Sequence, residues 1–121
     1  MTLTKAAAAT LDIEIEEGDA IDWLATRLAN PRTGHLHLIQ NTVAWEYLPN
    51  SSQARGLELI EQARALATAE TPLAWLSMEN DGDAKGGVGA ALTLSLGPGD
   101  TSLHLGRVDS HGRWIDWRHS N

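Results

Sequence analysis

The chain has 121 residues, 42% hydrophobic and 21% charged, enough for one domain with a modest core and too ordinary in composition for wholesale disorder. A formal net charge of −7 with scattered Lys and Arg argues against a nucleic-acid partner, and the absence of cysteine excludes disulfides, thiolate zinc sites and a Cys nucleophile. The aromatic payload is five Trp and one Tyr, with no Phe.

The first residues, "MTLTKAAAATLD", carry one lysine and a short alanine run instead of the apolar core of a signal peptide. No stretch approaches the ~18 consecutive apolar residues of a membrane span. The expectation is a cytoplasmic protein with neither a membrane nor a nucleic acid as partner. "LDIEIEE" (11–17) alternates Leu11, Ile13 and Ile15 with Asp12, Glu14 and Glu16. That is the period of a strand with one wet, acidic face. In "GDAIDWLATRLANP", Asp19 is placed to cap a helix whose stripe is Ile21, Leu24, Ala25 and Leu28, and Asn30 with Pro31 stops it.

"HLHLIQ" (35–40) reads as a buried strand. Asn50 is then placed to cap a second helix, with Gln53 three residues on for a reciprocal bond. Leu57, Ile60, Ala63 and Leu66 or Ala67 give its buried stripe, and Gly56 inside it costs about 1 kcal/mol relative to Ala. "PLAWLSME" (72–79) is a third strand. Strand, helix, strand, helix, strand favours a parallel sheet with right-handed crossovers. After the polar loop "NDGDAKGGVG", three short alternating runs follow: "AALTLSL", "TSLHLGRV" and "RWIDW". The turns between them, "GPGD" and "DSHG", are too short for a helix, so these strands pair antiparallel. The expected fold is α/β: a partial Rossmann-like parallel sheet with two helices, continued by an antiparallel C-terminal meander, all in one domain.

Candidate chemistry is sparse. In open parallel sheets ligands bind beyond the carboxyl ends of the strands. That places Asp19, the triplet Gln40, Asn41 and Thr42, and the pair Glu79 and Asn80 on one polar rim. Trp45 and Tyr47 are placed to act as stacking walls. The alternative is structural: Asn41 and Thr42 cap a turn and Trp45 packs under the second helix. "KGGVG" (85–89) enters a strand and opens no helix, so a phosphate loop is not expected there. The five histidines lack a metal-ligand pattern, and His111 and Arg113 flank Gly112 in a hairpin turn. No Gly-x-Ser-x-Gly elbow and no inward carboxylate pair occurs. No catalytic residue and no metal site is expected.

Taken in order, "GDAIDWL", "TVAWEYLP", "PLAWLSME" and "HGRWIDW" resemble the C-terminal half of an uncharacterised bacterial family, domain of unknown function 2332. Its full-length members look like Rossmann-type S-adenosylmethionine-dependent methyltransferases. The resemblance covers nearly the whole chain. It implies that Asp19, with Ala20, lies where the cofactor adenine is faced. It also implies that Asn41, Thr42, Trp45 and Tyr47 lie on the substrate side of the pocket. Two departures follow: the family usually has a His-Ser pair where this chain has Asn41 and Thr42, and the glycine-rich cofactor loop belongs to an N-terminal half not contained in these residues. Half a pocket encloses too little of a ligand to hold it. The expectation is therefore a non-catalytic α/β module that does not bind S-adenosylmethionine alone and associates as a homodimer, or with such an N-terminal half, across an open sheet edge. Two alternatives are a fragment of a small-molecule methyltransferase and a Trp-rich ligand-binding or protein-interaction domain anchored by Trp45, Trp114 and Trp117.

Overall fold

The computed structural model of the chain describes residues 15–81 and 88–120. Two helices and five strands follow in order: α1 (Ala20–Leu28), β1 (His37–Thr42), a 3-10 turn (Trp45–Tyr47), α2 (Asn50–Leu66), β2 (Leu73–Glu79), β3 (Ala90–Gly97), β4 (Thr101–Val108) and β5 (Ile115–Trp117). The strands form one sheet in chain order, β1-β2-β3-β4-β5. Only β1 and β2 are parallel, joined by α2; every later pair is antiparallel. The fold is mixed α/β with a mostly antiparallel sheet.

Three expectations need correction. Of the strand expected over 11–17, residues 11–14 lie outside the described residues, and Ile15, Glu16 and Glu17 form no strand. The described sheet therefore contains one parallel crossover unit, not two. The second strand runs over His37–Thr42, two residues later than "HLHLIQ" suggests. The polar triplet is thus the last part of the strand and not a loop after it, because Asn41 and Thr42 keep the parallel register with Ser77 and Met78. The second helix has Pro49 at its N-cap with no side-chain cap bond. Asn50 is its first residue, and Gln53 reaches back to the Leu48 carbonyl at 3.0 Å. Of the polar loop "NDGDAKGGVG", residues 82–87 lie outside the described residues.

The capping of α1 is as the sequence implies: Asp19 Oδ1 accepts from the backbone N–H of Ile21 and Asp22, both at 2.9 Å. Both helices lie on one face of the sheet. The marker is Gly97 on β3, where a Cβ would stand 2.9 Å from the Arg64 carbonyl oxygen and 3.1 Å from the Ala67 Cβ. Cross-strand partners share a face, so this face carries Leu73 and Gly97, then Trp75, Ser95 and Ser102, then Ser77, Thr93 and His104. Apart from Leu73 and Trp75, these residues are small or polar. The opposite face carries Leu76, Leu94 and Leu103 in one row, flanked by Ala74 with Leu96 and by Met78 with Leu92.

Two arginines tie the layers together. Arg64, 5% exposed on α2, donates to the carbonyls of Leu96 and Thr101 and to both oxygens of Glu61. It fastens the end of the helix to the β3–β4 turn. Arg107, 1% exposed on β4, makes a bidentate pair with Asp81 at 2.9 Å and donates to the carbonyls of Val88 and Gly89. One guanidinium thus holds the chain on both sides of residues 82–87. Planar, multiply bonded guanidinium is suited to such burial because its five N–H groups can all be used.

The α1–α2 contact is built on Gly56. A Cβ there would stand 2.7 Å from Trp45 Cη2 and 2.8 Å from Ile21 Cδ1. Alanine gains about 1 kcal/mol over glycine in a helix interior, but overpacking against a fixed indole costs about 1–3 kcal/mol. Gly56→Ala is expected to lower unfolding stability by about 1 kcal/mol, read by urea denaturation. An unchanged or raised midpoint would show that the glycine is not a packing requirement.

Candidate functional site

The carboxyl ends of β1 and β2 meet on one rim, and its chemistry centres on Glu79. The Glu79 carboxylate accepts from Asn41 Nδ2 at 2.8 Å and from the backbone N–H of Ala44 at 3.1 Å through one oxygen. Its other oxygen accepts from the N–H of Trp45 at 3.0 Å. Asn41 also donates to Ser77 Oγ at 3.1 Å and accepts from Trp75 Nε1 at 2.6 Å. The Trp75 ring lies 5.7 Å from that of Trp45, tilted by 48°. Asn80 donates to Glu46 at 3.1 Å. The strand alternation of "WLSME" puts Trp75, Ser77 and Glu79 on the helix face, and the parallel register brings Asn41 beside them.

Between β1 and this carboxylate stands Val43 at φ 45°, a left-handed conformation that a β-branched residue rarely adopts. Its N–H donates to the Met78 carbonyl at 2.7 Å, and Glu79 grips the next two amides. The turn out of β1 is therefore held by β2, strand to strand, against a local strain of order 1–3 kcal/mol.

The residues singled out from sequence are distributed as follows. Asp19 caps α1 and Ala20 opens it. Ile21, two residues on, shares Gly56 with Trp45, so the start of α1 and the turn after β1 lie together. Asn41 and Trp45 belong to the hydrogen-bonded cluster under α2. Thr42 is exposed and follows Met78 in register on the other face, and Tyr47 is 78% exposed. Asn41 and Glu79 have their polar atoms committed to one another and to the turn. This arrangement positions a loop; it offers no free acid, base or nucleophile in the cluster.

A cleft of about 960 Å³ lies at the other end of the parallel strands. It is bounded by the C-terminal half of α1, the end of α2 (Ala63 and Ala67) and the start of β1 (His37 and Leu38). Arg27, Arg32, His35 and His37 line it beside a single carboxylate, Glu16. Sequence reasoning found none of this, because the rule that ligands gather at strand carboxyl ends directs attention to the opposite rim. It also missed Arg64 and Arg107, which only their burial distinguishes from surface arginines. Among the described residues no three His, Asp or Glu side chains gather as a metal site, and no helix is long and apolar enough to cross a membrane.

In the last hairpin, Asp109 Oδ2 accepts from the N–H of His111 and from both the N–H and Nε of Arg113. The Arg113 side-chain hydrogen bond, aided by its backbone N–H, holds the Asp109 carboxyl down to about 2, and the Arg113 guanidinium is raised in return. His111 and Arg113 thus serve the turn.

Residues 1–117 match the family described as "Uncharacterized protein conserved in bacteria (DUF2332)". No curated protein and no solved structure matches the chain.

Two outcomes follow from the site. Glu79→Ala leaves the Ala44 and Trp45 amides without their acceptor and is expected to cost about 1–3 kcal/mol of stability. Red-shifted Trp emission should accompany it; a variant as stable as the wild type would show the turn to be held otherwise. The low folded-state pKa of Asp109 favours the fold above its ordinary value of 3.8, and that contribution is lost as pH falls through about 2. A carboxyl carbon titration by NMR should place its midpoint well below that of an exposed aspartate, and Arg113→Ala should raise it.

Proposed function

The chain belongs to this family of uncharacterised bacterial proteins, and from that premise we propose that it is a non-catalytic α/β module that works by association. The observation that carries this reading is the leucine-rich composition of the sheet's second face. Helices cover the side bearing Leu73, Trp75, Ser77, Thr93, Ser95 and Gly97, while the side bearing Leu76, Met78, Leu92, Leu94, Leu96 and Leu103, all half-buried, faces no helix or strand among the described residues. Leu38 at the margin of that side is 52% exposed. A contiguous leucine-rich sheet face is what a soluble chain ordinarily covers with a second layer. None of its six central residues is charged, so apposing two such faces buries no unpaired charge. A second copy of this chain supplies the layer, as two sheets packed face to face.

The methyltransferase-like part of the reading concerns the remaining rim. Among the described residues no glycine-rich turn leads from a strand into a helix to hold the methionine moiety of S-adenosylmethionine. Asp19 and Ala20 would face the cofactor, and Asn41, Thr42, Trp45 and Tyr47 a substrate, only in company with a complementary half that supplies that turn. The commitment of Asn41 and Glu79 to the turn after β1 supports a structural role for the rim in this chain by itself.

Multi-angle light scattering is expected to give the mass of two chains across a range of concentrations, and Leu94→Lys to give one. A wild-type monomer throughout would overturn the association reading. Isothermal titration with S-adenosylmethionine is expected to show no binding, and a low-micromolar affinity would overturn the non-catalytic one.

A further inference from the structure

β1 is the edge of the described sheet: β2 lies on one side of it and no described strand on the other. An open edge presents a row of free N–H and C=O groups. Above it stands α1, which runs alongside α2 from Ile21 at Gly56 to the Arg27–Asn30 end that roofs the cleft over Ala63 and Ala67. The cleft therefore lies between the C-terminal half of α1 and the start of β1, His37 and Leu38, whose outer side carries no described strand. A strand laid along the outer side of β1 would run into this slot at His37 and Leu38.

Its chemistry is specific. The roof and rim carry Arg27, Arg32, His35 and His37. Among the described residues Arg32, His35 and His37 form no ion pair. Beneath them, Leu36 and Leu38 are 58% and 52% exposed, and Leu38 stands on the leucine-rich face. An occupant must be extended, acidic on the side toward α1 and apolar on the other. The chain contains one such segment, "LDIEIEE" (11–17), with Asp12, Glu14 and Glu16 on one side and Leu11, Ile13 and Ile15 on the other.

In its own chain the described end of this segment stands off the edge. Ile15 is 83% exposed, and Glu16 is held on α1 by Trp23 Nε1 at 2.8 Å and by Arg27 at 3.7 Å, whose guanidinium lies 5.0 Å from the Trp23 ring. No backbone bond links 15–17 to β1. We propose that residues 11–17 of a second copy enter the slot and pair with β1, so that two chains exchange these segments. The acids then meet the basic lining, and the apolar positions extend the leucine-rich face beyond Leu38. Seven extended residues reach about 23 Å, enough to leave one molecule and lie along an edge strand of another. The inference rests on the association reading and names where the partner enters.

The cysteine-free sequence makes the test clean. In full-length protein carrying Ile13→Cys and Leu38→Cys, a short bis-maleimide is expected to give covalent dimers, with peptide mapping placing the link between residues 13 and 38 of different chains. Closure within one chain, or no 13–38 link, overturns the exchange. Light scattering on the same sample separates the two readings: a dimer without that link leaves association standing, and a monomer removes both. Arg32→Glu in this background, with its fold checked by circular dichroism, is expected to lower the dimer yield at low salt. An unchanged yield overturns the assignment of the basic lining to the acidic segment.

Discussion

One carboxylate organises the helix side of this molecule. Glu79, at the end of β2, takes three hydrogen bonds from Asn41, Ala44 and Trp45 and so fixes the turn by which the chain leaves β1 and enters α2. The turn passes through a left-handed valine, a conformation that persists only when its surroundings enforce it. Because the turn is fixed, Trp45 is delivered against Trp75 and under Gly56. That contact in turn sets how closely α1 lies on α2. The parallel pairing of β1 with β2, the crossover and the helix pair all follow from the same cluster.

The other half of the structure is held by buried guanidinium. Arg64 joins the end of α2 to the β3–β4 turn, and Arg107 joins Asp81 to Val88 and Gly89 across the interval between β2 and β3. A buried ion pair adds little stability relative to a well-packed apolar contact, yet removing one partner is costly. Here the pairs act by fixing geometry: each arginine addresses several backbone carbonyls that no apolar side chain could satisfy. The helix side of the sheet is accordingly cross-linked by polar groups, and Leu76, Leu92, Leu94, Leu96 and Leu103 are on the other side.

That division is the ground on which association is proposed. Polar groups on the rim are spent on holding a turn, and the features that no described element covers are a half-buried apolar face, the outer edge of β1 and a basic slot. All three are recognition features. They lie next to one another, since Leu38 belongs both to the edge strand and to the margin of the leucine face.

Much of this was legible in the order of residues. Asp19 before an apolar stripe defines the start of α1, the alternation in "AALTLSL" and "TSLHLGRV" defines β3 and β4, and the short turns between them require antiparallel pairing. These are local properties, decided by backbone sterics and side-chain period within a few residues. What the order could not decide was which face of the sheet the helices would cover, since alternation makes two faces without saying which is inside. Nor could it decide that Asn41 and Glu79, 38 residues apart, would neutralise one another's demands, or that Arg107 would be buried and Arg32 open. Those outcomes depend on which strands become neighbours, and only the folded chain sets that.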